Sequence, residues 1–255
     1  TCEALMGEPG HISRVVFPFD ANSAGAVAEA LYQTQAQIWT VVAPKRPVPV
    51  VFDGESARRL VAQGALKLRA DANPEIILTA IGAYQLQEVL KASKRLEARG
   101  VQHDIVAMLE PRRFSEARCA EEEAFFATPE QREAMYPESV EPRLFVTHTR
   151  SGRIQGLLQV LDTGRRTVAL GYRNEGGTYD TQGMMFINHQ SWAHVVEKGA
   201  ALMIPASSIV VTSAIGRGVT TLRRSLYASV GERSARLKFF IYFFRSRDGG
   251  WLSIQ

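Results

Sequence analysis

The sequence predicts an α/β fold, with a mostly parallel sheet that carries helices on both faces. The order strand, helix, strand occurs twice before residue 110, which is typical of parallel βαβ units. The run Ile76–Ile81 is continuously apolar, as in strands that are covered on both faces. With 255 residues, 45% of them hydrophobic, the chain can bury one good core or two small ones.

The first predicted unit begins with the short apolar strand Val15–Phe17, which ends at a proline. We expect Asn22 to cap the helix that follows, since its side chain can accept hydrogen bonds from free N–H groups. The β-branched run Ile38–Ala43 predicts the second strand, and a further helix is expected over Asp53–Ala65. A helix followed by a buried strand is typical of a parallel α/β unit.

The second unit contains the strand Ile76–Ile81, which closes at Gly82. Apolar residues at helical spacing predict a helix over 86–96 that stops at Gly100, and Asp104–Leu109 is the next strand. The polar segment 111–141 is expected to be a connecting excursion with short helical pieces. The remaining predicted elements are the strand Arg143–Thr147, a short helix over 154–161, the strand Thr167–Leu170 and a helix over Asn188–Ala201.

Residues 202–255 differ from the rest because they are rich in arginine and serine. They include the uncharged aromatic run Phe239–Phe244, which has strand propensity and would favour aggregation if exposed. We predict that this divergent tail lies outside the preceding compact domain. A shifted reading frame, a chimeric end and a genuine extension all remain open as its origin.

Charge and cysteine content narrow the class of protein. The net charge of +4 favours anions in general but does not argue for nucleic acid. The chain has two cysteines, Cys2 and Cys119, which are too few for a disulfide-stabilised scaffold. We therefore expect a reducing, cytoplasmic location. No apolar run is long enough to span a membrane. The chain starts at Thr1 rather than methionine, and we expect it to be part of something longer.

Four landmarks occur in a characteristic order: Phe17–Asn22, Ala43–Pro47, His148 and Gly171–Met185. Over residues 14–200 their order and spacing resemble the C-terminal part of the phosphoketolases. The resemblance implies three regions. Residues 1–52 would be the end of a pyrimidine-binding domain, residues 53–201 a C-terminal α/β domain of the transketolase type, and residues 202–255 would lie outside the family pattern.

The resemblance also implies an activity. Phosphoketolases are aldehyde-lyases that use thiamine diphosphate and Mg²⁺. They cleave xylulose 5-phosphate or fructose 6-phosphate with inorganic phosphate, giving acetyl phosphate and an aldose phosphate. Lys45 matches the lysine that holds the substrate phosphate, and Arg46 would share this charge, although Pro44 replaces the usual glycine. Without the resemblance, Lys45 would be interpreted as an ordinary solvated lysine after a strand.

The same resemblance makes four further residues candidates for positions next to the site: His148, Glu175, Thr178 and Thr181. The last three belong to a glycine-rich segment that in the family packs near the domain junction. We therefore interpret them first as residues of a domain interface and only second as ligands. For His148, the alternative is a buried histidine at a strand edge, hydrogen-bonded to backbone.

The catalytic groups of the family lie upstream of the matched part, and its glycine-aspartate-glycine metal motif does not occur in this chain. We therefore predict no catalytic residue, no metal site and no cofactor binding by this chain alone. Three hypotheses remain: part of an intact, homodimeric phosphoketolase, a non-catalytic assembly or regulatory module, or one chain of a split transketolase-like enzyme. The expected partners are sugar phosphate, inorganic phosphate and either a second copy or an upstream catalytic region, with neither nucleic acid nor membrane.

Overall fold

The computed structural model describes residues 2–173 and 177–204, and the backbone of residues 244–245 and 251–252. The chain divides into two compact units, Thr1–Ile204 and Pro205–Gln255. The strands of the first unit are β1 Ser13–Val16, β2 Ile38–Val41, β3 Ala65–Arg69, β4 Ile76–Ile81, β5 His103–Met108, β6 Arg143–Thr147 and β7 Thr167–Leu170. The helices are α1 Cys2–Leu5, α2 Ala21–Gln33, α3 Gly54–Gln63, α4 Ala83–Glu97, α5 Ala120–Glu123, α6 Pro129–Met135, α7 Ser151–Leu157, α8 Thr181–Ile187 and α9 Trp192–Met203.

A five-stranded sheet with the order β3-β5-β4-β6-β7 forms the centre of the first unit. β4 pairs in parallel with both β5 and β6, and β6 pairs in parallel with β7. Only the edge strand β3 runs antiparallel, with a register irregularity between Lys67 and Arg69. Every residue of β4, β5 and β6 is buried. The predicted fold class, α/β with a mostly parallel sheet, is confirmed.

The two faces of this sheet bury alternate residues of β4, as the period of two requires. Ile77 and Ile81 belong to the core cluster that also contains Ile154 of α7. Ile76 lies on the other face, where a Cβ on Gly199 of α9 would stand 3.4 Å from its Cδ1. Helices α4 and α9 pack together against β4 and β6 on that face. The sheet therefore carries helices on both sides.

The excursion between β5 and β6 is anchored beneath the sheet by buried polar contacts. The hydroxyl of Tyr136 lies 3.0 Å from the hydroxyl of Thr79 in β4. Burial raises the pKa of Tyr136, so the hydroxyl stays protonated. The guanidinium of Arg143 donates to the carbonyls of Tyr136 and Leu161 at 3.2 and 2.9 Å. The excursion is thus part of the core, although its sequence is polar.

A separate two-stranded parallel sheet is formed by β1 and β2, with Ser13 opposite Ile38. Helix α2 follows β1, but its cap is Asp20, which accepts from the N–H of Ser23 at 2.8 Å. The expectation that Asn22 caps this helix is wrong, because Asn22 instead donates to the carbonyl of Phe52 at 2.7 Å. The side chain of Asn22, in the first turn of α2, thus links this helix to the segment before α3.

Two further elements differ from the sequence-based expectation. The helix predicted over Asp53–Ala65 ends at Gln63, because Gly64 adopts a left-handed conformation and β3 begins at once. The helix predicted over Asn188–Ala201 is α9, which starts only at Trp192 and continues to Met203, while a separate helix, α8, ends at Ile187. His189 lies between them with a φ of 56°.

In the second unit, the strands β8 Phe244–Arg245 and β9 Trp251–Leu252 form an antiparallel pair. The predicted aromatic run therefore lies outside the described residues except for Phe244. None of the helices among the described residues combines the length and the apolar content that a membrane span requires.

Candidate functional site

The topology of the large sheet creates a crevice between β4 and β6. β4 leads through α4 to β5 on one side, whereas β6 leads through α7 to β7 on the other. In open α/β sheets, ligands collect at such a switch point, outside the carboxyl ends of the strands. The two strand ends are held together here, since the N–H of His148 donates to the carbonyl of Ile81 at 2.9 Å.

A cleft of about 760 Å³ opens at this point, and its lining includes both strand ends. This volume is typical of sites for small molecules. The walls come from four parts of the first unit: the segment after β2, the turn between β4 and α4, the residue after β6, and α8 with the loops around it. The small sheet thus contributes to a cleft whose floor belongs to the large one.

Lys45 and Arg46 lie on the wall that follows β2, and both are exposed. The backbone N–H of Arg46 donates to the hydroxyl of Tyr84 in α4 at 3.3 Å. This bond links the cationic segment to the opposite side of the cleft. Both predicted phosphate ligands therefore line the switch-point cleft, while their role in binding stays a prediction.

The segment that carries these cations is held at its far end by Asp20. The carboxylate of Asp20 accepts from the N–H groups of Val51 and Phe52 at 2.6 and 2.8 Å. Burial alone would raise the pKa of Asp20, but the hydrogen bonds from Phe52, Ser23 and Val51 lower it below its ordinary value. The conspicuous Phe17–Asn22 turn therefore acts here as an anchor for a loop.

His148 lies in the cleft wall directly after β6, as the sequence predicts. Its ring is 6.2 Å from that of Phe17, measured between centroids. The residue is exposed to the cleft, but protein atoms crowd the ring, and this partial desolvation lowers the pKa of His148 against a small opposing effect of Glu3. The ring is therefore mainly neutral at pH 7, so that one of its nitrogens can donate a hydrogen bond and the other can accept one.

Only one of the three residues predicted near the site from the glycine-rich segment 171–185 lines the cleft in the described part of the chain. Thr181 lines the cleft at the start of α8, next to Asp180, which caps that helix by accepting from the N–H of Gly183 at 2.7 Å. Thr178 is exposed and is not among the cleft-lining residues. Glu175 lies outside the described residues.

Three residues at the base of the cleft are not among those predicted from the sequence, namely Gly82, Gln85 and Gln190. Gln85 is only 4% exposed and donates through Nε2 to Oε1 of Gln190 at 2.8 Å. A glycine directly after a buried strand and before a helix is the signal that could have located this turn. The contact between Gln85 and Gln190 joins positions 105 residues apart, which no local pattern reveals.

The electrostatics of the cleft favour an anion over a metal ion. Among the described residues that line the cleft, Lys45 and Arg46 are cationic and Asp180 is the one carboxylate, whose Oδ1 already accepts a helix N–H. Among the described residues, no group of three or more His, Cys, Asp or Glu side chains is placed to hold a metal ion.

Comparison with known proteins identifies a similar curated sequence. A protein named "Probable phosphoketolase" from Bifidobacterium animalis subsp. lactis (strain AD011) is 24% identical over 190 residues, which are 70% of this chain and 22% of that protein. The match therefore spans about a fifth of the relative's length. No protein-family model matches the chain.

Solved transketolases share the fold. The enzyme from Leishmania mexicana aligns with a TM-score of 0.57 and 14% identity, over 78% of this chain and 26% of that one. The Pichia stipitis enzyme in complex with sedoheptulose 7-phosphate gives 0.55 and 15%, over 75% and 25%. A split-gene transketolase, described as an inactive beta4 tetramer, gives 0.54 and 15%, over 74% and 57%. The fold is transketolase-like, and the resemblance to a phosphoketolase or transketolase C-terminal portion is confirmed.

Proposed function

We propose that this chain is the C-terminal portion of a thiamine-diphosphate-dependent phosphoketolase. The intact enzyme would cleave xylulose 5-phosphate or fructose 6-phosphate with inorganic phosphate, giving acetyl phosphate and an aldose phosphate. The observation that carries the proposal is the position of Lys45 and Arg46 at the switch-point cleft, in a chain that resembles phosphoketolases. We further propose a cytoplasmic homodimer.

In this proposal, Lys45 and Arg46 bind the phosphate group of the substrate. A lysine ammonium is a compact point charge, whereas the guanidinium of arginine can bind two phosphate oxygens at once. Both side chains are exposed in the described part of the chain, so they are accessible to a ligand. The bond between Arg46 and Tyr84 restricts the segment in advance and lowers the entropy cost of ordering it on binding.

His148 and Thr181 have supporting roles in this proposal, since both line the same cleft. A neutral imidazole and a hydroxyl suit hydrogen bonds to the hydroxyl groups of a sugar. Thr178 and Glu175 remain candidates for a contact between domains rather than for ligand binding.

The described residues do not fit the thiamine diphosphate and Mg²⁺ of the family. A diphosphate held through Mg²⁺ needs carboxylate or carbonyl ligands, and no suitable cluster of His, Cys, Asp and Glu occurs among the residues that the structure describes. We therefore assign these residues to substrate binding and packing. The cofactor chemistry would come from a preceding catalytic region or from another chain.

A second candidate function is one chain of a split transketolase-like enzyme. The likeness to the split-gene transketolase favours it, because this chain covers 57% of that protein but about a quarter of the other transketolases. A non-catalytic assembly module is the third reading. This reading is favoured by Pro44, which stands before Lys45 where phosphoketolases usually have a glycine.

The three readings predict different results in one assay of acetyl phosphate production from xylulose 5-phosphate, with thiamine diphosphate, Mg²⁺ and phosphate. We expect no turnover by the chain alone, and turnover when the upstream region is translated in the same frame. Turnover only after mixing with a separately encoded catalytic chain would favour the split enzyme. Activity of the pure chain would contradict the assignment of catalysis to another region, and inactivity of every combination would favour the module.

In an active form, Lys45→Ala tests the phosphate site directly. A hydrogen bond to a charged group contributes about 1.5–3 kcal/mol, so KM for the sugar phosphate should rise at least about tenfold while kcat changes less. Lys94→Ala is the matched control, because Lys94 is an exposed lysine of α4 outside the cleft-lining set. An unchanged KM in Lys45→Ala would make Lys45 an ordinary surface residue.

A further inference from the structure

The N-terminus of α4 reaches the switch-point cleft without a cap. The N-cap residue is Gly82, which has no side chain to accept a hydrogen bond, and the first turn contains no acidic residue. The N–H groups of Ala83, Tyr84 and Gln85 donate no hydrogen bond to any residue that the structure describes. A helix of 15 residues therefore directs free donors and the positive end of its dipole toward the cleft.

A second, independent feature lies at the same place. Gln85 is 4% exposed, and its Oε1 is buried without a hydrogen-bond partner. This oxygen lies directly over Gly82, since a Cβ added there would be only 2.5 Å from it. An unpaired buried carbonyl is unfavourable by about as much as a lost hydrogen bond. A ligand that formed a hydrogen bond with the side-chain amide of Gln85 at this place would remove the cost of the unpaired group.

The pair Gln85 and Gln190 can supply a donor instead of this unpaired acceptor. The oxygen and nitrogen of a side-chain amide occupy nearly the same space, so both amides can turn over together and keep their mutual hydrogen bond. After this rotation, Nε2 of Gln85 points where Oε1 lies now. That place lies against Gly82, at the start of the helix.

We propose that the N-terminus of α4 is a binding position for an oxyanion, such as the phosphate or carboxylate group of a small molecule. The backbone N–H groups of Ala83, Tyr84 and Gln85 and the rotated amide of Gln85 are its donors. Lys45 and Arg46 line the same cleft and add a favourable field, whereas Asp180 opposes it. This position lies on a different element from Lys45 and does not depend on the substrate-phosphate assignment.

The carboxylate variant Gln85→Glu tests the proposal with little change in shape. A glutamate at the third position of a helix interacts favourably with the free N–H groups and with the dipole, so the helix should be retained. The added negative charge occupies the donors and repels an incoming anion. Gln85→Met is the uncharged second variant, which removes the amide donor without adding charge and keeps the test valid if the glutamate variant folds poorly.

The measurement is a titration of the full 255-residue chain with inorganic phosphate, and separately with fructose 6-phosphate, at constant ionic strength, followed by amide NMR spectra. We expect saturable shifts at residues 83–85 that weaken at least about tenfold in Gln85→Glu and persist in Lys45→Ala. If both ligands shift these amides, the position accepts free phosphate as well as a phosphate ester; if only fructose 6-phosphate does, it selects the ester. Both results support an oxyanion position.

The proposal is overturned if neither ligand shifts residues 83–85, or if the shifts remain equally strong in both Gln85 variants. Failure of the substrate-phosphate proposal produces a different pattern. In that case the amides of Lys45 and Arg46 would not respond to fructose 6-phosphate, while the response of the α4 amides would be unaffected.

Discussion

The two sheets of the first unit are built from similar strand-forming residues, but the small sheet combines one buried strand, β1, with one largely uncovered strand, β2. In the large sheet, β4, β5 and β6 are buried at every position. In the small sheet, Ile38 and Val41 of β2 are 63% and 42% exposed. Two strands alone do not make a stable sheet. The small sheet therefore depends on its attachments to the large one, and its contribution is to deliver the segment with Lys45 to the cleft.

One attachment between the small sheet and the end of β5 is a buried ion pair, beside the hydrogen bond from the N–H of Phe17 to the carbonyl of Leu109 at 2.8 Å. Arg14 of β1 donates through Nε and Nη2 to the two carboxylate oxygens of Glu110 at 2.9 and 2.5 Å. The side chain of Glu110 is fully buried, and that of Arg14 is 12% exposed. The same guanidinium lies 3.8 Å from the centre of the Trp39 ring in β2.

The largest expected effect comes from breaking this attachment. Arg14→Ala leaves the carboxylate of Glu110 buried without its partner, so we expect a loss of about 3–5 kcal/mol in the free energy of unfolding, measured by denaturant titration. Adding Glu110→Gln removes the uncompensated charge and should recover a large part of the loss. If the double variant recovers nothing, the cost arises from packing on Trp39 instead.

A matched pair of isoleucines measures the contrast between the sheets. Ile77→Ala in β4 removes a fully buried side chain and should cost about 2–5 kcal/mol. Ile38→Ala in β2 removes a mostly exposed side chain and should cost less than about 1 kcal/mol. Denaturant unfolding of both variants gives the comparison. Equal losses would show that the edge of β2 is covered in solution.

The helical cover of the large sheet should respond to pH through His194 of α9. Burial, and then the stacked ring of His189 at 4.6 Å, lower the pKa of His194 to about 4. An unfolded histidine titrates near 6.5, so the unfolded state binds more protons between these values and stability falls as the pH drops from about 6.5 to about 4. Arg173 and Lys198 act in the same direction.

For this partly buried ring, we expect a loss of roughly 1–2 kcal/mol across that window, after allowing for solvent screening. His194→Gln should flatten the slope of unfolding free energy against pH in this window. The hydroxyl of Ser191 lies 2.8 Å from Nδ1 of His194, and it can still form a hydrogen bond with the side chain of a glutamine at position 194. A slope that is unchanged in His194→Gln would assign the pH dependence to other groups.

The smallest effect is expected from removing residues 205–255. The described core residues of both sheets lie before this boundary, which also separates the two compact units. The cut should follow Ile204 rather than Ala201, because α9 continues to Met203 and Leu202 is buried. We expect the melting temperature to change by less than about 3 °C, that is by less than about 1 kcal/mol. A fall of many degrees would make the tail part of the core.

The central strands could be predicted from the sequence because burial on both faces leaves a continuous apolar run. The prediction for Ile76–Ile81 agrees with β4 at both ends, as does that for β6. β3 was missed, because an edge strand tolerates charges, and Lys67 and Arg69 hide its pattern. The cap of α2 was misplaced by two residues, since the sequence alone does not distinguish Asp20 from Asn22.

The candidate site was predictable where a side chain follows a strand end. Lys45, Arg46 and His148 all follow strands, and the structure brings them to one cleft with Thr181. Gln85 and Gln190 were not predictable, because a glutamine on a helix carries no chemical signature. Their importance arises from a contact across 105 residues and from one unpaired oxygen.

The anchoring of the excursion by Tyr136 and Arg143 has a consequence for the order of folding. β4 and β5 are joined by one helix, so their pairing closes a short loop, whereas pairing of β4 with β6 closes a loop of more than twice that length. The bond between Tyr136 and Thr79 can form only when the excursion reaches β4. We therefore expect substitutions at Tyr136 to accelerate unfolding more than they slow folding, with the excursion docking as a late event on a sheet already nucleated by β4, α4 and β5.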